Sequence, residues 1–89
     1  MQAMPRDIEE SDEFRTKREE IVPDAKLFDD ITKGITFAIA KKPDLCALIP
    51  GSDIRVVKIR ATPSTPPLSI FYRIKNDHII ELLDLMVRD

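Results

Sequence analysis

Residues 52–89 read SDIRVVKIRATPSTPPLSIFYRIKNDHIIELLDLMVRD, and this stretch decides the fold. Three runs rich in Ile, Val, Leu and Tyr are separated by residues that favour turns, which predicts β-strands over 54–61, 68–75 and 78–87. The last two runs are joined by Asn-Asp at 76–77, and such a short polar link is typical of a hairpin. The sequence therefore predicts an antiparallel meander.

Lysine and arginine side chains recur along these predicted strands. Because side chains alternate between the two faces of a strand, Lys58 and Arg60 lie on the same face of the first run. Arg73 and Lys75 share a face of the second run, and Arg88 closes the third. The pattern predicts a basic sheet face. The alternative is that the sheet cations form cross-strand pairs with Glu81 or Asp84 and only keep the sheet soluble, and it concerns Arg55, Lys58, Arg60 and Arg73.

The N-terminal third predicts a short strand and a charged helix. Ile8 lies in an extended segment, and Ser11 or Asp12 then offers an N-cap for a helix over 13–21. Acidic and basic residues alternate along this helix, which is typical of a solvated surface.

A second helix gives the stronger signal. It begins near Asp24, and apolar residues follow helical spacing at Leu27, Phe28, Ile31, Ile35, Ala38 and Ile39. Such an apolar stripe packs on a sheet. We therefore expect one α+β domain over 1–89, with two N-terminal helices packed on one face of a small antiparallel β-sheet.

Size and charge limit the classes of function. A chain of 89 residues with 43% hydrophobic residues is long enough for one modest core. Its formal net charge of −2 is unevenly divided, because residues 1–30 carry −5 and residues 31–89 carry +3. The sequence pI of about 5.4 is low for a dedicated nucleic-acid-binding protein, whose pI usually exceeds ~9.

Other features concern compartment and cofactors. No apolar run approaches the ~20 residues that span a bilayer, so no membrane partner is expected. Residues 1–10 lack the apolar stretch of a secretory signal, and Cys46 has no second cysteine for a disulfide, which together favour the cytoplasm. One histidine and one cysteine do not make a zinc site, and no metal or cofactor is expected.

The order of the predicted elements resembles that of a known family. The segments that carry the resemblance are IEESDEF, AKKPDLC, IPGSDIRVVKIR, PPLSIFYRI and HIIELLDLMVR. Across nearly the whole chain they look like the RelE/ParE superfamily of type II toxin-antitoxin toxins. The resemblance implies a RelE/ParE-like α+β domain whose helices cover one sheet face. It also implies a concave opposite face that binds mRNA in the ribosomal decoding site and that an antitoxin covers.

The resemblance further implies a metal-independent endoribonuclease that inhibits translation at the ribosome. In this chemistry a 2′-hydroxyl attacks the adjacent phosphodiester, and cations stabilise the charge that develops on the phosphoryl oxygens. Arg60, Arg73 and Arg88 are the candidate catalytic residues, and Lys58 and Lys75 are the candidate RNA-binding residues. The expected partners are a cognate antitoxin, mRNA on the ribosome, and a second copy of the chain in a homodimer.

The sequence departs from the RelE pattern at two points. Ser69 lies three residues before Tyr72, where RelE-like members usually carry an arginine, and the chain ends at Asp89 without a tail bearing histidine, arginine or tyrosine. These departures favour a ParE-like inhibitor of DNA gyrase, or a non-catalytic protein-interaction module of the same fold. Tyr72 alternates with apolar residues, which predicts core packing. Phe14 and Ile21 either join the core or contribute to an antitoxin or self-association surface.

Overall fold

The computed structural model describes residues 6–88 and has an α+β architecture. A short strand and two helices precede four further strands, and all five strands form one sheet. The predicted α+β class is confirmed. The elements are β1 (Asp7–Glu10), α1 (Asp12–Ile21), α2 (Ala25–Lys41), a short 3-10 turn (Pro43–Leu45), β2 (Ala47–Leu48), β3 (Ile54–Ile59), β4 (Leu68–Ile74) and β5 (Ile79–Val87).

The sheet is mixed, with the strand order β1-β5-β4-β3-β2. The predicted antiparallel meander is present in β3, β4 and β5, with Ile54 opposite Arg73 and Arg73 opposite Glu81. However, β1 runs parallel to β5, with Ile8 opposite Ile80, so the expectation of a wholly antiparallel sheet is wrong. Tight hairpins require antiparallel pairing, whereas β1 reaches β5 only through both helices and three other strands, a connection that imposes no such direction.

Both helices begin at side-chain caps. The Ser11 hydroxyl accepts a hydrogen bond from the backbone N–H of Phe14 at 3.1 Å, and the Asp24 carboxylate accepts one from the N–H of Leu27 at 3.1 Å. Each cap satisfies a backbone donor that has no partner within its helix. Pro23 lies between the two helices, where its missing N–H removes nothing that either helix needs. The predicted helix starts are therefore accurate to within a residue or two.

The hydrophobic core lies between the helices and one face of the sheet, which we call the covered face. Phe14 of α1 and Phe28 of α2 meet edge to face, with ring centroids 6.0 Å apart. Phe14 is fully buried, so it belongs to the core and to no exposed association surface. The core comprises Phe14, Val22, Phe28, Ile39, Ile59, Leu68, Ile70, Tyr72, Ile80, Leu82 and Leu85.

Tyr72 links the centre of the sheet to the segment that follows α2. Its side chain is fully buried, and its hydroxyl donates a hydrogen bond to the backbone carbonyl of Pro43 at 2.7 Å. A buried phenol needs such a partner because an unsatisfied hydroxyl in a core is costly. The prediction that Tyr72 packs in the core is confirmed.

The two connections of the meander are closed by local hydrogen bonds. Thr62 and Thr65 form an isolated β-bridge between β3 and β4, and their hydroxyl oxygens are 2.7 Å apart. Between β4 and β5, the backbone N–H of Asn76 donates to the carbonyl of Ile79 at 3.3 Å. Among residues 6–88 only Gly51 has a positive φ, so the predicted Asn-Asp turn forms without the left-handed conformation that these residue types tolerate.

Candidate functional site: the open face of the sheet

Helices pack on one face of the sheet, and the opposite face, which we call the open face, is bordered by helix only at the first two turns of α1 within the described residues. Strand register and pleat decide which side chains it carries, because side chains alternate along each strand. The open face is formed by Ile54, Val56 and Lys58 of β3, by Ser69, Phe71 and Arg73 of β4, and by Ile79, Glu81, Asp84 and Met86 of β5.

An apolar groove with a volume of about 710 Å³ lies on this open face. Phe71, at the middle of the central strand β4, is half-buried there, and Met86 of β5 remains 48% exposed. The apolar residues that line the groove are Ile49, Ile54, Phe71, Leu83 and Met86. An exposed apolar surface of this kind is typical of a binding site.

A β-bulge and a helix terminus shape one side of the groove. The pairing of β4 with β5 shifts at Leu83, because Phe71 pairs with Asp84 while Tyr72 pairs with Leu82. The Ser11 hydroxyl donates to the carbonyl of Leu83 at 3.0 Å, which fixes the start of α1 beside the bulge. The first turn of α1 therefore brings two carboxylates to the groove.

The polar lining of the groove is acidic. It contains four carboxylates and one guanidinium, a formal net charge of −3, from Asp12, Glu13, Glu81, Asp84 and Arg73. The prediction of a basic sheet face therefore fails at the groove, because acids from α1 and β5 outnumber Arg73, the cation of its lining. Two cations outside the lining offset part of this charge, since Arg15 lies 3.9 Å from Asp12 and Lys17 lies 3.7 Å from Asp84. The remaining negative charge disfavours phosphate groups and favours cationic side chains.

Two of the predicted site residues have carboxylate partners. The Nε of Arg73 donates to Glu81 Oε1 at 2.8 Å, across the β4–β5 pair. The Nζ of Lys75, which follows the last residue of β4, lies 3.5 Å from Glu9 Oε1 of β1, on the far side of β5. The Arg73–Glu81 pair is the cross-strand arrangement that the alternative interpretation of the sheet cations predicted, whereas the partner of Lys75 was not predicted. Neither side chain is free to meet a phosphate without leaving its partner.

Lys58 and Arg60 are placed differently. Both side chains are exposed, and within residues 6–88 neither has a carboxylate partner within 4.0 Å. Lys58 lies on the open face opposite Ser69, and Arg60 follows the last residue of β3. They lie at the far end of the sheet from Arg73, since four residues of strand span about 13 Å.

Arg88 holds two strands together. Its Nη2 donates to the carbonyl of Ile59 at 2.7 Å, and its backbone N–H donates to the carbonyl of Pro67 at 2.9 Å. Its Nε is buried and has no hydrogen-bond partner in the part of the chain that the structure describes. The structure thus divides the five predicted cations into Lys58, Arg60 and Arg88 at one end of the sheet and Arg73 and Lys75 at the other.

Tyr72 is a buried titratable group on the covered face of the sheet. Burial raises the pKa of the Tyr72 phenol, and the nearby Cys46 thiol raises that pKa further, so the phenol is a poor proton donor at neutral pH. Among residues 6–88, no three His, Cys, Asp or Glu side chains are grouped to hold a metal ion. Neither helix in this range is long and apolar enough to span a membrane.

Sequence reasoning missed the apolar groove. The signal was present, because Ile54 and Val56 share a face with Lys58, and Phe71 shares a face with Arg73. Apolar residues on both faces of one strand indicate a sheet that is buried on one side and binds something on the other. The sequence prediction considered only the cations of these strands, so it did not identify the apolar residues between them.

Comparison with known proteins gives no assignment. No protein-family model matches the chain, and a search of curated proteins finds no significant relative.

Proposed function

We propose that this protein is the toxin component of a type II toxin-antitoxin system, with a RelE/ParE-like domain, and that it stops growth by binding a protein target through the open face. The apolar groove on the open face is the observation that carries this function. The RelE/ParE resemblance of the sequence implies two helices on one face of a sheet and a functional opposite face. The order of elements and the uncovered face of this chain fit that arrangement.

The lining of the groove favours a protein over RNA as the target. Phosphates are repelled by a formal charge of −3, whereas an apolar segment of a partner protein buries surface against Phe71, Ile54 and Met86. Each Leu, Ile or Phe side chain that such a segment fully buries contributes about 1.5–3 kcal/mol. Two such side chains offset a large part of the entropy cost of association.

The acidic lining also indicates what the partner carries. A segment with lysine or arginine beside its apolar residues complements Glu13, which has no salt-bridge partner among residues 6–88. Asp12 and Asp84 join it by exchanging their exposed contacts with Arg15 at 3.9 Å and Lys17 at 3.7 Å. We expect this pattern in the antitoxin segment that covers the groove at rest and in the target that replaces it. We propose DNA gyrase as the target, by a ParE-like action.

Metal-independent mRNA cleavage at the ribosome is the second candidate. It is favoured by Lys58 and Arg60, which are exposed and have no carboxylate partner among the described residues. The other three predicted cations bind a phosphate only after they leave their present partners. These partners are Glu81 for Arg73, Glu9 for Lys75 and the Ile59 carbonyl for the Arg88 side chain.

Growth after induced expression in a bacterial host tests the function. Wild-type protein is compared with Phe71→Asp, which places a charge in the groove, and with the pair Lys58→Ala/Arg60→Ala, which removes the free cations. We expect wild type and the cation variant to arrest growth and Phe71→Asp to be harmless, although all three proteins are soluble and equally folded by circular dichroism.

Other outcomes contradict this expectation in different ways. Arrest that is lost in the Lys58→Ala/Arg60→Ala variant and retained in Phe71→Asp supports mRNA cleavage instead. If soluble, folded wild-type protein never slows growth, the toxin function is wrong, and a non-catalytic protein-interaction module of the same fold takes its place.

A further inference from the structure

One face of α2 is turned away from the sheet, and it carries a glycine beside an exposed phenylalanine. We call the gap left by the missing glycine side chain the notch. Gly34 lies in the middle of this helix, and a Cβ added there meets nothing within 4 Å outside the local helix backbone. Glycine in a helix interior costs stability relative to alanine, and no packing within the domain requires it here. Three residues further on, Phe37 is 60% exposed.

A charged residue lies on each side of the notch and the Phe37 ring along the helix axis. Asp30, Gly34, Phe37 and Lys41 are spaced by four, three and four residues, which places them on one stripe of an α-helix. All four are exposed, and within residues 6–88 neither Asp30 nor Lys41 has a salt-bridge partner. The Nζ of Lys41 lies 4.6 Å from the centroid of the Phe37 ring. The buried Phe28, Thr32 and Ile39 lie on the opposite side of the helix, and the buried Ala40 lies about 90° around the axis from the stripe.

The spacing of four, three and four residues is the same from either end of the stripe. One end carries an acid and the other a base, so two antiparallel copies of the stripe are complementary to each other. When two copies of α2 lie antiparallel, Asp30 of one copy meets Lys41 of the other, and Gly34 meets Phe37. The reciprocal contacts follow from the two-fold axis, which is the geometry of an isologous dimer. Each ring then fills the notch of the facing helix, and each acid gains a cationic partner.

We propose that the protein forms a two-fold symmetric homodimer through the Asp30, Gly34, Phe37 and Lys41 stripe of α2. The dimer is independent of the function proposed above, because this stripe and the open face lie on opposite sides of the domain. A single helix pair buries less than the ~1,200 Å² of a standard stable interface, so association is weak and reversible. We expect a dissociation constant on the order of tens of micromolar.

Sedimentation equilibrium of the full chain over roughly 1 µM to 1 mM tests the dimer. The expected result is a mass that rises from 10.2 kDa towards twice that value with concentration. Asp30→Lys and Lys41→Asp each replace two opposite-charge contacts by two like-charge contacts, and each raises the dissociation constant roughly tenfold or more. Combining them exchanges the charges and restores association to within about threefold of wild type.

Two further variants separate the interface from the fold. Phe37→Asp, at an exposed position, keeps the monomer folded and abolishes the dimer. Gly34→Gln fills the notch, and because glutamine is the better helix former it raises the Tm of dilute monomer while it weakens association. Asp29→Lys makes the same charge change as Asp30→Lys about 100° around the helix, so it leaves association unchanged.

Three results overturn the proposal. The first is a mass of 10.2 kDa at every concentration up to about 1 mM, which means that no dimer forms. The second is a dimer that Phe37→Asp and Gly34→Gln do not weaken, because its interface lies elsewhere. The third is a loss of association in both single charge variants without recovery in the exchanged pair, which excludes the antiparallel pairing of Asp30 with Lys41.

Discussion

Replacing Tyr72 by phenylalanine tests the role of a buried hydrogen bond between the centre of the sheet and the segment that follows α2. The Tyr72 hydroxyl is fully buried and donates to the Pro43 carbonyl at 2.7 Å. Tyr72→Phe keeps the ring but leaves that carbonyl without its partner, which costs about 1–3 kcal/mol. With a central value of about 2 kcal/mol, the Tm of a domain of this size falls by roughly 8–16 °C.

The same contact predicts how stability changes at high pH. Burial raises the pKa of the folded Tyr72 phenol well above the ordinary value of about 10 that the unfolded chain has. Between these two values the unfolded state loses its proton while the folded state keeps it, so the stabilisation is complete below pH ~10 and is lost as pH rises. At pH 11 the loss amounts to roughly 1 kcal/mol.

Urea denaturation of wild type and Tyr72→Phe at pH 7, 10 and 11 measures both effects. The stability difference between the two proteins should shrink by roughly 1 kcal/mol from pH 7 to pH 11. The lysines that also titrate in this pH range are present in both proteins, so their contribution cancels in the difference. Tyr72 is the only tyrosine and tryptophan is absent, so tyrosinate absorbance reports this phenol alone and should appear only on unfolding. Equal stability of the two proteins at pH 7, or ionisation of the phenol in the folded state near pH 10, refutes this reasoning.

Three further substitutions have defined outcomes. Arg88→Ala removes the hydrogen bond to the Ile59 carbonyl and lowers the free energy of unfolding by about 1–2 kcal/mol, which urea denaturation measures. Ser11→Ala removes both the N-cap of α1 and the bond to β5, and costs about 1–2 kcal/mol in the same assay. The partly exposed Arg73–Glu81 pair contributes less, and a double-mutant cycle with Arg73→Gln and Glu81→Gln should give a coupling energy of about 1 kcal/mol or less.

Local signals in the sequence predicted most of the fold. Caps at Ser11 and Asp24, the helical spacing of apolar residues and the alternation along three strands are all properties of short segments, so they can be recognised without knowing what lies nearby. The parallel pairing of Ile8 with Ile80 joins residues that are 72 positions apart. No local pattern encodes such a pair, and the direction of β1 was therefore missed.

The site was harder to predict than the fold because charge depends on neighbours in space. Alternation correctly placed Lys58 on the same face of β3 as Ile54 and Val56. It did not show that Glu81 would pair with Arg73, or that the first turn of α1 would bring Asp12 beside the groove. Similarly, Arg88 looked like a free cation at the end of a strand, and only the tertiary structure shows its bond across the sheet.

The order in which synthesis stops after induction tests the central claim most directly. Pulse-labelling with thymidine and with an amino acid, in cells that express the wild-type protein, follows DNA replication and translation separately. A toxin that acts on gyrase through the acidic, apolar groove should stop thymidine incorporation first, while translation continues. If amino-acid incorporation falls first, or if neither changes although the protein is soluble and folded, the proposed action on a protein target through the open face is contradicted.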